Sequence, residues 1–186
     1  MNIIKTEFPG LMIIEPKVFG DARGYFFESY NEKAMSEAGI QTVFRQDNQS
    51  FSKYGVIRGL HFQLNPHAQT KLVRVIEGTI YDVVLDLRQG SPTFGKWFGL
   101  ELSAGNKRQL YIPHGFAHGF SVLSEQTAIF YKCDNFYHPK SEGGVLYNDP
   151  ILNIDWKVDA FRATVSDKDK ILPTLDQVET NFVYNE

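Results

Sequence analysis

Cysteine is almost absent from these 186 residues: Cys133 stands alone, so no intrachain disulfide can form, which fits a reducing compartment. Long hydrophobic runs are missing as well. None reaches the ~18 residues of a membrane span, and the N-terminus lacks a basic region followed by an apolar stretch. The chain is therefore expected to be cytoplasmic, with no membrane partner. An excess of either charge is also lacking, since 19 Lys and Arg stand against 22 Asp and Glu, a formal net charge of −3. Such a balance gives no whole-protein attraction to nucleic acid, and any affinity for phosphate has to come from a local cluster. Walker, GxGxxG, CxxC and HExxH motifs are absent too, which removes local support for the common nucleotide-cofactor, zinc-finger and zincin readings.

What is present is enough apolar residue, 42% of the chain, for one substantial core. Strand-like runs dominate: Met12 to Pro16, Gly24 to Tyr30, Thr42 to Ser52, Lys71 to Ile76, Thr79 to Leu87, Lys96 to Leu102, Lys107 to Ile112, Gly119 to Leu123 and Thr127 to Asp134. Glu77-Gly78 reads as a hairpin turn, and Gly90-Ser91-Pro92 and Ser103-Ala104-Gly105-Asn106 read as further turns. Asn31 to Gly39 has helix-forming content and a closing glycine. There is no internal repeat or linker, so residues 1–186 are expected to form a single domain. Short strands between Gly, Pro and Asn turns predict an all-β antiparallel sandwich or jelly roll.

Two segments carry the chemical interest. Pro113-His114-Gly115-Phe116-Ala117-His118 has the Pro-x-Gly-x-x-His cadence of a cupin barrel, in which that histidine usually binds a metal. Gly59-Leu60-His61-Phe62-Gln63 stands where a metal-binding cupin would supply His-x-His and then a carboxylate. Here the second histidine is Gln63, no acidic residue follows before Glu77, and the intervening Lys71 and Arg74 are cationic. An ammonium beside a divalent cation would be repelled by several kcal/mol, on the order of Coulomb's law at low effective dielectric. The expectation is no metal and a proton-transfer pocket.

Strand parity refines the candidates. Lys71 shares a face with Val73 and Val75, so it either snorkels from an edge or enters a cavity. His61 shares a face with Gly59 and Gln63, and Arg58 can join His61 only if the strand bulges, for which Gly59 is the natural place. His118 aligns with Phe116, Phe120 and Val122, and Tyr131 with Ile129 and Cys133; either could be an ordinary core residue. Cys133 itself reads as a buried structural thiol. Ser166-Asp167-Lys168-Asp169-Lys170 reads by residue type as a solvated charged turn. From spacing alone the chain is a β-barrel with a possible His/Lys/Tyr pocket.

Taken together, these residues resemble the dTDP-4-dehydrorhamnose 3,5-epimerase family of sugar-nucleotide enzymes. The resemblance spans nearly the whole chain, from Phe19-Gly20-Asp21-Ala22-Arg23-Gly24-Tyr25-Phe26-Phe27-Glu28 to Ser166-Asp167-Lys168-Asp169. Its most specific blocks are Gln46-Asp47-Asn48-Gln49-Ser50, Gly55 through Gln63, and Lys71-Leu72-Val73-Arg74-Val75. It implies a cupin-type antiparallel jelly-roll barrel with short peripheral helices, acting without cofactor or metal on a dTDP-4-keto-6-deoxyhexose. It further implies His61 as base, Asp169 as its orienting carboxylate, Lys71 at the enolate oxygen and Tyr131 as the acid across the ring. His118 would contact the sugar or support the enolate. Arg23, Glu28, Gln46, Asn48 and Arg58 would bind nucleotide and phosphate, with Phe26 near the base, Tyr137 beside the nucleotide, and Glu142 and Lys168 at further substrate contacts. Family members are homodimers whose N-terminal part crosses to the neighbour, so Arg23, Phe26 and Glu28 would serve the partner's site. The alternatives are a 3-epimerase of another deoxysugar pathway, a non-catalytic sugar-binding cupin and a metal-dependent cupin.

Overall fold

The computed structural model describes residues 1–185. In chain order its elements are β1 (Asn2–Lys5), β2 (Met12–Glu15), β3 (Phe19–Asp21), β4 (Gly24–Phe26), α1 (Glu32–Glu37), β5 (Gln46–Lys53), β6 (Val56–Gln63), β7 (Lys71–Glu77) and β8 (Thr79–Asp86). Then follow β9 (Trp97–Ser103), β10 (Gln109–Ile112), β11 (Phe116–Val122), β12 (Gln126–Cys133), β13 (Glu142–Gly144), β14 (Thr164–Val165) and α2 (Asp167–Lys170). One six-stranded sheet runs β1-β2-β10-β7-β12-β5. The other runs β13-β6-β11-β8-β9, with β14 parallel to β6. β3 and β4 form a separate small hairpin. No helix among the described residues is long and apolar enough to cross a membrane.

From β5 to β8 the chain steps from one sheet to the other at every strand, as a jelly roll does. This corrects the hairpin expected at Glu77-Gly78: β7 and β8 are consecutive but lie in different sheets. Each strand is apolar on both faces, so each needs cover on both sides, which a two-stranded ribbon cannot give. In β8, Ile80 and Val84 enter the core between the sheets, while Val83 and Leu85 join a second cluster with Leu60, Phe62, Trp156 and Phe182. The C-terminal segment thus roofs the outer face of the β6 sheet. Met35 of α1 packs with Ile14, Leu72 and Tyr111, covering part of the other outer face. Helix α1 forms where sequence composition placed it, with the Asn31 side chain capping the Ala34 N–H at 3.1 Å.

Three strands prove shorter than expected by two residues or more. The Gly24 run ends at Phe26, the Thr42 run begins at Gln46 and the Lys107 run begins at Gln109, because the residues trimmed find no ladder partner. The C-terminal charged stretch is also not a simple solvated turn: Ser166 caps α2, and Asp169 is buried at 3% exposure.

Gly78 makes the step between sheets. Its φ is +82°, and a Cβ there would collide with the Gln126 carbonyl oxygen and the Ser124 and Thr127 hydroxyls. Gly78→Ala is expected to cost about 1–3 kcal/mol, the scale of a non-glycine residue held at positive φ, with the backbone clash adding to it. A denaturant midpoint unchanged from the parent chain would show that the turn relaxes freely.

Candidate active site

The site begins with a bulge in β6. His118 of β11 faces His61 and Phe120 faces Arg58, so Gly59 and Leu60 together oppose the single residue Gly119. Gly59 takes φ +105°, and a Cβ on it would stand 2.6 Å from both the Gly119 Cα and the His118 carbonyl oxygen. The extra residue resets the alternation, and Arg58 and His61 line the same cavity of about 510 Å³. The bulge also frees the Gly59 N–H from the ladder, and it donates to Asp169 Oδ2 at 3.2 Å.

Asp169 is held from three sides. Ser166 Oγ accepts the Asp169 N–H at 3.1 Å, β14 ties the preceding residues to β6, and His61 Nε2 lies 2.8 Å from Asp169 Oδ1. An ionised carboxylate only accepts, so Nε2 of neutral His61 carries the proton and Nδ1 keeps its lone pair. Burial pushes the His61 pKa below the ordinary 6.5, and it outweighs the upward pull of Asp169. At neutral pH the imidazole is therefore an unprotonated base with a fixed tautomer.

Lys71, at the start of β7, lines the cavity on the same face as Val73 and Val75, which are buried in the core. Burial lowers its pKa, with Asp82 and Glu142 among the groups that oppose this, and among the described residues it makes no ion pair. Tyr131 of β12 also lines the cavity and packs against the core; burial raises its phenol above 10. Cys133, paired in register with Lys71, is a buried thiol pushed by desolvation up to about 11, and so stays neutral. His118 completes the lining. Its Nε2 meets both oxygens of Asp82, at 3.1 and 2.9 Å.

Asp82 escaped the sequence reading. The signal was the alternation Ile80-Asp82-Val84, a carboxylate on an otherwise apolar inward face, which requires a buried partner. Ser166 escaped as well, although Ser three positions before Asp169 is a helix-capping pattern.

The remaining candidates divide into four groups. Arg58 and Lys168 line the main cavity, with Arg58 Nε donating to Ser52 Oγ at 3.2 Å. Lys168 lies 2.7 Å from Glu142, and the Tyr137 hydroxyl donates to Glu142 at 2.9 Å; Tyr137 and Glu142 line a smaller adjoining cavity with His61 and Lys71. Burial raises the Glu142 pKa, but the hydrogen bonds from Lys168 and Tyr137 outweigh it and hold the carboxyl below 4.5. Gln46 and Asn48 share a β5 face with cavity-lining Ser50 and bond to each other at 3.1 Å, extending a polar edge away from the cavity. Arg23, Phe26 and Glu28 belong to neither cavity. Phe26 is 66% exposed, Arg23 pairs among the described residues only with neighbouring Asp21, and Glu28 bonds Asn31.

Among the described residues no three His, Cys, Asp or Glu side chains converge as a metal site would need. The arrangement offers a base, a lysine amine that makes no ion pair among the described residues, and a phenol around one cavity. That is a set suited to taking a proton from carbon and stabilising the oxyanion that results.

Asp169→Asn removes the carboxylate charge that pulls the His61 pKa up most strongly and leaves burial and Lys71 opposed by Glu142, so His61 should titrate still lower than in the parent chain. Imidazole NMR signals followed against pH would read this; an unmoved curve would deny the coupling. Because the folded pKa lies below the unfolded one, stability is lost as pH falls from 6.5 down through the lower folded value, where the unfolded chain takes up the proton first.

The profile of a family described as dTDP-4-dehydrorhamnose 3,5-epimerase matches residues 5–177. A dTDP-4-dehydrorhamnose 3,5-epimerase of Shigella flexneri is 56% identical over 170 residues, which is 91% of this chain and 93% of that one. The crystal structure of the Elizabethkingia anophelis enzyme superposes with a TM-score of 0.90 at 53% identity, covering 95% of this chain and 97% of the other. A Legionella pneumophila dTDP-6-deoxy-D-glucose-3,5-epimerase, solved with dTDP-4-keto-L-rhamnose, superposes at 0.94 and 47% identity over 100% and 99% of the two chains. The chain belongs to the dTDP-4-dehydrorhamnose 3,5-epimerase family.

Proposed function

We propose that this cavity epimerises dTDP-4-dehydro-6-deoxy-D-glucose at C3 and C5, giving dTDP-4-dehydro-L-rhamnose for dTDP-L-rhamnose synthesis. The observation that carries the reading is the His61–Asp169 pair facing the same cavity as Lys71 and Tyr131. The C4 ketone acidifies the hydrogens on C3 and C5. His61 Nδ1 removes one, and the electron pair moves onto the C4 oxygen as an enolate. The imidazolium so formed is stabilised by Asp169, whose charge is already in place and needs no reorganisation. Lys71, without a competing carboxylate, donates to the enolate oxygen. Tyr131 returns a proton to the carbon from the opposite face and inverts the centre; once His61 has released its proton to solvent and the Tyr131 phenolate has taken one back, the same groups serve the second carbon.

His118, oriented by Asp82, supports the sugar on the side of the ketone. Arg58 and Lys168 supply charge to the diphosphate, for which a guanidinium is well shaped. Gln46 and Asn48 extend toward the nucleotide, and Tyr137 and Glu142 close the rim.

The isolated position of Arg23, Phe26 and Glu28 supports a homodimer in which the β3–β4 hairpin completes the partner's site. Residues 1–186 would then fold as one domain with that hairpin exchanged. Mixing His61→Asn subunits with Arg23→Ala subunits should restore activity, because each mixed dimer regains one intact site. No recovery on mixing, with subunit exchange verified, would place Arg23 in its own chain's function.

His61→Asn should lower solvent exchange at both carbons by ~10²–10⁴-fold, the usual weight of a general base. Tyr131→Phe should behave differently. Run in deuterated water, it should still exchange substrate hydrogen, since His61 can return a deuteron to the face it came from, while net inversion falls sharply. Equal losses of exchange and inversion would remove Tyr131 from the role of acid. Label at both C3 and C5 with the parent enzyme separates the double epimerase from a 3-epimerase and from a binding protein.

A further inference from the structure

Gln63 is the residue by which the chain departs most clearly from a metal-binding cupin, and the mechanism above leaves it without a task. It is 5% exposed at the end of β6, two residues from His61, and lines the smaller cavity. Both donors of its amide and one acceptor position of its oxygen are taken by backbone. Nε2 donates to the His67 carbonyl at 2.6 Å and to the Phe136 carbonyl at 3.2 Å, while Oε1 accepts the His138 N–H at 2.7 Å. The Phe136 and His138 contacts lie immediately on either side of Tyr137. Tyr137 itself gives its N–H to Gln46 Oε1 at 3.0 Å and its hydroxyl to Glu142 at 2.9 Å.

We propose that Gln63 is the positioning residue for Tyr137, its amide clamping the backbone on both sides so that the phenol stands fixed at the cavity rim. Segment 135–138 lies between β12 and β13 without regular structure, and most of its backbone contacts are to side chains. The clamp is specific to an amide. Histidine at position 63 offers no pair of donors beside an acceptor in this geometry, and a carboxylate would turn an acceptor toward the two carbonyls. Where a metal-binding relative would commit this position to an ion, this chain commits it to shaping its own rim. The inference rests on the reading of Tyr137 as a nucleotide contact.

The test measures dTDP affinity by titration calorimetry and kcat by turnover, on the full-length enzyme. Gln63→Met, similar in volume and lacking the amide, should weaken dTDP binding roughly tenfold, the scale of one lost hydrogen-bond contribution, with kcat changed far less. In a Tyr137→Ala background the same substitution should have little further effect, since the residue it positions is gone. Gln63→Glu should bind well at low pH, where the protonated acid can still donate, and progressively worse as pH rises and the group ionises; the parent enzyme should not show that trend. This second variant decides the matter if Gln63→Met does not fold. Additive losses with Tyr137→Ala, or Gln63→Glu affinity that tracks the parent across pH, would overturn the clamp. A parent enzyme that binds dTDP but does not turn over the 4-keto sugar would overturn the proposed function and leave the clamp to be judged on affinity.

Discussion

The grip of one buried carboxylate on a strand bulge and a histidine is the constraint on which the site depends. Asp169 accepts from His61 with one oxygen and from the Gly59 N–H with the other. Without the second contact the Gly59 amide would be left without its ladder bond and unsatisfied, at a penalty of about 1–3 kcal/mol. Without the bulge, Arg58 would point to the face occupied by Leu60 and Phe62, into a hydrophobic cluster that cannot accept a guanidinium. One interaction therefore fixes the base and its tautomer, and secures the bulge that gives the cavity its arginine.

The barrel interior supports this arrangement with apolar walls. Val73, Val75, Phe116, Phe120 and Ile129 surround the polar groups, so each charge there feels a low dielectric and few competing donors. The polar groups respond in pairs where they can. His118 has Asp82 and His61 has Asp169, each carboxylate buried and hydrogen-bonded. Lys71 is the exception, lowered by burial and held only by more distant charges. A cation with no local partner is costly to keep and gains most from an anion that forms beside it. This is the logic of differential transition-state binding.

Much of this was legible along the chain. Alternation placed Lys71 with Val73 and Val75, His118 with Phe116 and Phe120, and Tyr131 with Ile129, because side-chain parity in a strand needs no knowledge of neighbours. The Gly59 bulge could be anticipated from Arg58 and His61 having opposite parity. Asn31 and Gly39 marked a helix for equally local reasons. The hairpin at Gly78 failed because a tight glycine turn looks the same whether the next strand pairs with the last or crosses to the facing sheet; the apolar faces of both strands decide, and only packing reads them.

By itself, then, the sequence determined the family, the all-β jelly roll, the phase of the strands that carry Lys71, His118 and Tyr131, and the residue types available for proton transfer. Tertiary structure alone decided which of those residues meet. Asp169 reaches His61 across 108 positions of sequence and Asp82 reaches His118 across 36. Gln63 fastens a loop 73 residues away, and Arg23, Phe26 and Glu28 stand outside their own chain's cavity. The physical reason is one of range. Backbone geometry repeats every two residues and is written locally, whereas hydrogen bonds and burial act through space between segments that only the folded sheets bring together.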